Sequence, residues 1–91
     1  MTRVIRRRVR VLGQVQGVGF RYTCRQQAQN LGVVGSVSNR GDGSVEAVFE
    51  GAPDAVHAMI AWCRRGPTSA WVSDLEVTDE EPTGERVFRV I

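Results

Sequence analysis

Ninety-one residues suit one domain over residues 1–91 with a single sheet-and-helix core, and are too few for two independent ones. With 42% hydrophobic and 24% charged residues the composition is that of an ordinary soluble globular chain. No apolar run approaches the roughly 20 residues that span a bilayer, and the arginine-rich start from Met1 to Arg10 leads into no apolar stretch with a small-residue cleavage site, so a cytoplasmic location without membrane attachment is expected.

The net charge of +2 hides a sharp division. Residues 1 to 41 hold eight arginines and no Asp or Glu, while the remainder holds four arginines and ten acids. An anionic ligand is drawn to elements built from the first part, unless the two sets of charges pair within the fold.

In chain order, Val4 to Leu12 places Ile5, Val9 and Val11 on one face and Arg6, Arg8 and Arg10 on the other, the period of a half-buried strand. Arg7 interrupts the apolar set. From Phe20 to Leu31, the apolar residues Phe20, Cys24, Ala28 and Leu31 recur at helical spacing, and Gly32 is a natural stop. Val33 to Ser38 and Ser44 to Glu50 read as two strands joined by the hairpin loop Asn39-Arg40-Gly41-Asp42-Gly43. Pro53 opens a second helix with Val56, Met59, Ile60 and Cys63 as its stripe and Gly66-Pro67 as its end. Trp71 to Thr78 and Arg86 to Ile91 are the last strands, separated by an acidic turn from Asp79 to Gly84.

The order βαββαβ with an added C-terminal strand predicts an α+β sandwich of ferredoxin-like type, two helices on one face of an antiparallel sheet. That fold hosts enzymes, metal carriers and RNA binders, so it does not fix function.

Cys24 and Cys63 fall on apolar helix faces and read as small buried hydrophobes; a bond between them requires neighbouring helices. No Cys/His cluster suggests a metal, and His57 reads as a surface residue. Glu46, Glu50 and the run from Asp79 to Glu81 read as surface charges, the strand arginines as a solvated face, and Trp62 and Trp71 as packing residues.

One segment carries chemistry. Gly13-Gln14-Val15-Gln16-Gly17-Val18-Gly19-Phe20-Arg21 sets three glycines and an arginine between a strand and a helix. Glycine permits positive φ and close approach to a ligand, and the first N–H groups of a helix have no intrahelical partner. An oxyanion can satisfy them, with the Arg21 guanidinium fork taking two of its oxygens. The segment is neither a Gly-Lys-Ser/Thr nucleotide loop nor a dinucleotide Gly-x-Gly-x-x-Gly. Asn39, ending the strand after the first helix, is the second polar residue of interest.

Leu12-Gly13-Gln14-Val15-Gln16-Gly17-Val18-Gly19-Phe20-Arg21 resembles the first signature of the acylphosphatase family, and Gly35-Ser36-Val37-Ser38-Asn39-Arg40-Gly41-Asp42-Gly43-Ser44-Val45, continuing to Gly51, resembles its second. The resemblance spans essentially the whole chain. Gln14, Ser36 and Ser38 depart from the family's usual residues. The resemblance implies hydrolysis of a small-molecule acyl phosphate to a carboxylate and inorganic phosphate by a monomer, with no metal or cofactor and no nucleic-acid partner. It implies that Arg21 and Asn39 are the catalytic residues, Asn39 positioning the attacking water. Phosphate is then bound by Arg21 with the backbone of Gln16, Gly17, Val18, Gly19 and Phe20. The rival reading is a non-catalytic anion- or RNA-binding module, although Ser44 to Glu50 lacks the aromatic, basic strand of the common RNA-recognition fold. A third reading is a regulatory domain that keeps the cradle without turnover.

Overall fold

Alternation along the first strand decides the layering of the molecule. The computed structural model describes residues 3–91; Met1 and Thr2, the first residues of the arginine-rich start, lie outside the described residues. The elements are β1 (Ile5–Gln14), α1 (Phe20–Leu31), β2 (Val34–Asn39), β3 (Val45–Gly51), α2 (Pro53–Cys63), β4 (Trp71–Glu80) and β5 (Phe88–Val90). Ile5, Val9 and Val11 of β1 join Val45, Ala47 and Phe49 of β3 in a buried cluster with Phe20, Cys24 and Ala28 of α1 and Val56, Met59 and Cys63 of α2. Both helices therefore cover one sheet face. Burying a side chain such as Phe49 there contributes about 2–3 kcal/mol.

The sheet order is β4-β1-β3-β2-β5. β1 pairs antiparallel with β3 and β4, and β2 antiparallel with β3, which is the expected ferredoxin-like core. The added strand differs from expectation: β5 is three residues long and runs parallel to β2. β4 lies at one edge and β5 at the other, so the chain must cross the sheet between them. Asp79 and Glu80 belong to β4 rather than to a turn, and residues 81–87 form the crossing strap.

That strap covers the helix-free face, where the arginines of β1 pair with acids, as the sequence left open, and Glu50 is buried rather than a surface charge. Register places Arg6 of β1 directly between Glu80 of β4 and Glu50 of β3, and Arg10 between Glu76 and Glu46. The Arg6 guanidinium bonds Glu80 at 2.9 Å and Glu50 and Glu85 at 3.2 Å, and Arg8 reaches Glu46 at 2.7 Å and Glu80 as well. Arg6 and Glu50 are buried, at 8% and 3% exposure. Arg7 faces the opposite way and pairs with Asp79 at 2.8 Å.

Two further expectations change. Leu31 ends α1 at 40% exposure because the helix rolls past the core at its last turn, and Trp71 is 63% exposed at the start of an edge strand instead of packed. Trp62, by contrast, packs on Phe20 with ring centroids 5.1 Å apart. Cys24 of α1 and Cys63 of α2 are both free and fully buried. The neighbouring Cys63 thiol, with burial, raises the Cys24 thiol pKa.

Burial pushes the Glu50 carboxyl up, but N–H groups of Thr83, Glu85 and Gly84 and the Arg6 guanidinium outweigh it, so its pKa lies below the ordinary value. Arg8 and then Arg6 hold Glu80 down against a smaller effect of burial. The stabilisation from such carboxylates is complete above the unfolded Glu pKa of about 4.3 and is lost as pH falls through the lowered folded values. Thermal melts should therefore show a Tm that holds near neutrality and drops below about pH 4. Glu80→Gln should start from a lower neutral Tm and lose less of it on acidification; an identical acid limb in variant and wild type would remove Glu80 from the cause.

Candidate active site

The C-terminal ends of β1 and β2 emerge at one end of the sheet because each strand is antiparallel to β3 between them. Val45 at the start of β3 is flanked by Val11 on one side and Asn39 on the other. β1 continues to Gln14, with its pairing to β4 shifted between Leu12 and Gly13. Only glycine fits at that bulge: at φ +127°, a Cβ on Gly13 would stand 2.2 Å from the Trp71 backbone oxygen.

Past the bulge the chain enters the glycine loop. Gly19 is the N-cap of α1 in the left-handed region, and no side chain caps the helix. Its first N–H groups are left for solvent or a ligand, in a first turn that carries no acid. The Thr23 hydroxyl donates to the Gly19 carbonyl at 2.9 Å and fixes the start of the helix.

Arg21 is the second residue of α1. Its Nη1 donates to the Ile91 backbone oxygen at 3.0 Å. Ile91 comes within reach because β5 is parallel to β2 and so ends beside it, the Ile91 N–H bonding the Val37 carbonyl at 2.9 Å. Arg6, Arg7, Arg8 and Arg10 are each paired with a carboxylate. Among the described residues Arg21 makes no ion pair with an Asp or Glu side chain.

Asn39 sits where β2 passes into the hairpin. The hairpin is closed by the Arg40 N–H donating to Ser44 at 2.8 Å and is stiffened by Asp42, whose carboxylate accepts the Ser44 hydroxyl at 2.6 Å and N–H at 2.9 Å. These two bonds, with Arg10 adding to them, hold the Asp42 carboxyl well below the usual range. The Gln16 side chain spans from the glycine loop to this hairpin, its Nε2 donating to the carbonyls of Arg40 at 2.7 Å and Ser44 at 2.9 Å.

Between the two loops lies a cavity of about 230 Å³. Gly17, Gly19, Phe20, Arg21 and Asn39 line it, together with Val15 and Tyr22. Five of the residues singled out in the sequence thus meet at one opening. Gln16 and Val18 are not on its wall; Val18 packs against the core and Gln16 acts through its side chain as a brace. A second depression of about 160 Å³, between Arg64 and the start of β4, gathers one arginine and one aspartate without a glycine loop. No three His, Cys, Asp or Glu side chains cluster as a metal site among the described residues, and none of their helices is long and apolar enough to cross a membrane.

Sequence reasoning missed the Gln16 brace and the Ile91 contact. The first joins residues 24 and 28 positions apart and the second residues 70 apart, with no local pattern to announce either.

A ferredoxin-like sheet with an uncapped, arginine-bearing helix start beside Asn39 defines an α+β domain with an open cavity at one end of its sheet. Comparison with known proteins is specific about which one: residues 7–90 match the acylphosphatase family model. An acylphosphatase of Trichormus variabilis is 53% identical over 89 residues, covering 98% of this chain and 88% of the relative. One from Thermococcus kodakarensis is 48% identical, covering 96% of each chain. The structure of an acylphosphatase from Coxiella burnetii superposes with a TM-score of 0.93 at 34% identity, over 97% of this chain and 93% of that one. The chain belongs to the acylphosphatase family, and its enzymatic class is that of a hydrolase acting on acyl phosphates.

Removal of the brace is a direct check on the geometry. Gln16→Leu deletes two hydrogen bonds and should cost about 1–2 kcal/mol in urea unfolding. It should also weaken competitive inhibition by inorganic phosphate; unchanged inhibition would mean that the brace does not set the spacing between loop and hairpin.

Proposed function

We propose that residues 1–91 form one acylphosphatase-like domain that hydrolyses the carboxyl–phosphate bond of an acyl phosphate through Arg21 and Asn39. The observation that carries this reading is that both side chains line the cavity at the uncapped start of α1. Phosphate is bound by Arg21 and by backbone N–H groups of the loop Gln16, Gly17, Val18, Gly19 and Phe20, of which Gly17, Gly19 and Phe20 line the cavity with Arg21. Together they stabilise the charge on the non-bridging oxygens as the phosphoryl group is transferred.

Asn39 orients the attacking water. An amide is no base near neutral pH, so the water's proton passes to a substrate phosphate oxygen. The leaving group is a carboxylate with a pKa of about 4, which departs without protonation by the enzyme. The site accordingly needs neither a catalytic histidine nor paired carboxylates. An alkyl phosphate, leaving as a basic alkoxide, would find no acid here to help it.

In this reading the enzyme is a cytoplasmic monomer that uses no metal or cofactor. The arginine-rich first strand is not a nucleic-acid stripe, since Arg6, Arg8 and Arg10 are bound to carboxylates of neighbouring strands and the hairpin.

Hydrolysis of a model aryl acyl phosphate tests the assignment. Wild-type turnover should survive a metal chelator. Arg21→Ala should lose about 10³-fold or more in kcat/KM and Asn39→Ala about 10²-fold, each with an unchanged circular dichroism spectrum. Normal activity in Asn39→Ala would sink its role with water; loss of wild-type activity on chelation would overturn metal independence.

A further inference from the structure

We propose that Glu50 is a positioning residue for Arg21, acting from the opposite face of the sheet through the strap 81–87 and β5; the inference rests on the role given to Arg21 above.

Glu50 is 3% exposed on the face away from the helices, and the catalytic reading has no use for it. Its two carboxylate oxygens accept four hydrogen bonds. Oε1 takes the Thr83 N–H at 2.9 Å and Arg6 at 3.2 Å; Oε2 takes the Gly84 N–H at 2.9 Å and the Glu85 N–H at 3.0 Å. Three successive backbone N–H groups converging on one carboxylate form an anion nest, a conformation that fixes the path of the strap. A buried ion pair is weak evidence for stability alone, because well-packed apolar residues often serve as well. What a carboxylate supplies here, and an apolar side chain cannot, is a set position for residues 83 to 85.

That position is transmitted over a short distance. Two residues separate Glu85 from Phe88, where β5 starts, and the Val87 carbonyl already accepts the Gly35 N–H at 2.9 Å. β5 is a three-residue edge strand with few ladder bonds of its own. It is located from both sides of the sheet: Phe88 stacks on Phe49 in the core at 6.0 Å, and Glu50 holds the strap on the outer face. Beyond β5 comes Ile91, whose oxygen receives Arg21 at 3.0 Å. A shift of one residue in β5 would move Ile91 by about 3.3 Å, more than the hydrogen bond can follow. Glu50, the strap, β5, Ile91 and Arg21 thus form one continuous chain of bonded contacts.

The test is inhibition by inorganic phosphate during hydrolysis of an aryl acyl phosphate, with Glu50→Gln compared to wild type well below both melting temperatures. The amide keeps the volume of the side chain but replaces one acceptor with a donor. The phosphate inhibition constant should rise about three- to tenfold, the size expected of a remote residue that biases a site. In a chain lacking Ile91, where the last link is already cut, Glu50→Gln should lower Tm with no further change in phosphate inhibition. Should Glu50→Gln fail to fold, Thr83→Pro removes one donor from the nest and should give the same rise. A lowered Tm with unchanged phosphate inhibition, or equal effects of Glu50→Gln with and without Ile91, overturns the inference and leaves the function intact. A folded wild type that neither hydrolyses the substrate nor binds phosphate overturns both.

Discussion

β3 runs antiparallel to both of its neighbours, and that single arrangement sets the distance across the site. Strands lie about 4.8 Å apart, so the ends of β1 and β2 are held roughly 10 Å from each other by the strand between them. In the proposed function this gap takes the phosphoryl group and the attacking water. If β1 and β2 were adjacent, the loop ahead of α1 and the hairpin carrying Asn39 would collide. The register Val11–Val45–Asn39 is in turn fixed by Val45, Ala47 and Phe49, whose side chains must all face the helices. Packing of the core and spacing of the site are therefore the same constraint seen from two sides.

The arginines divide by partner rather than by position in the sequence. Those of β1 spend their charge on carboxylates across the sheet and the hairpin, and Arg6, Arg8 and Arg10 replace, on the face without helices, the apolar layer that a second pair of helices would have provided. Val48, 4% exposed on that face, shows how well the side chains and strap cover it. Arg21 differs from them in that the turn it occupies contains no acid and its guanidinium rests on the Ile91 oxygen.

Most of the architecture was legible because it depends on local period and punctuation. Ile5, Val9 and Val11 give a strand, Phe20, Cys24 and Ala28 a helix stripe, and Gly32 and Pro53 mark a helix end and a helix start as local rules require. The region around the site was legible for a different reason, since Gly17, Gly19 and Arg21 are contiguous and Asn39 occupies a recognisable signature. What escaped was every relation between distant segments. Glu50 looks like a surface residue until the strap, more than 30 positions later, is laid across it, and the direction of β5 follows from which edge β4 occupies. Leu31 fits the helical period, yet the period cannot say where the core stops. Trp71 was read from its side chain's appetite for burial, and its place at the start of an edge strand left nothing to bury it.

The sequence contains no lysine, and this gives the charged face an unequal response to its surroundings. Guanidinium groups stay protonated at any pH a protein survives, whereas an ammonium surrenders its proton near pH 10. On the alkaline side the contacts of Arg6, Arg8 and Arg10 therefore have no titration point at all. The contacts of carboxylate and guanidinium that hold the strap remain fastened in base until something else in the protein fails first, and the ionic half of the sheet has only one direction in which it can be undone.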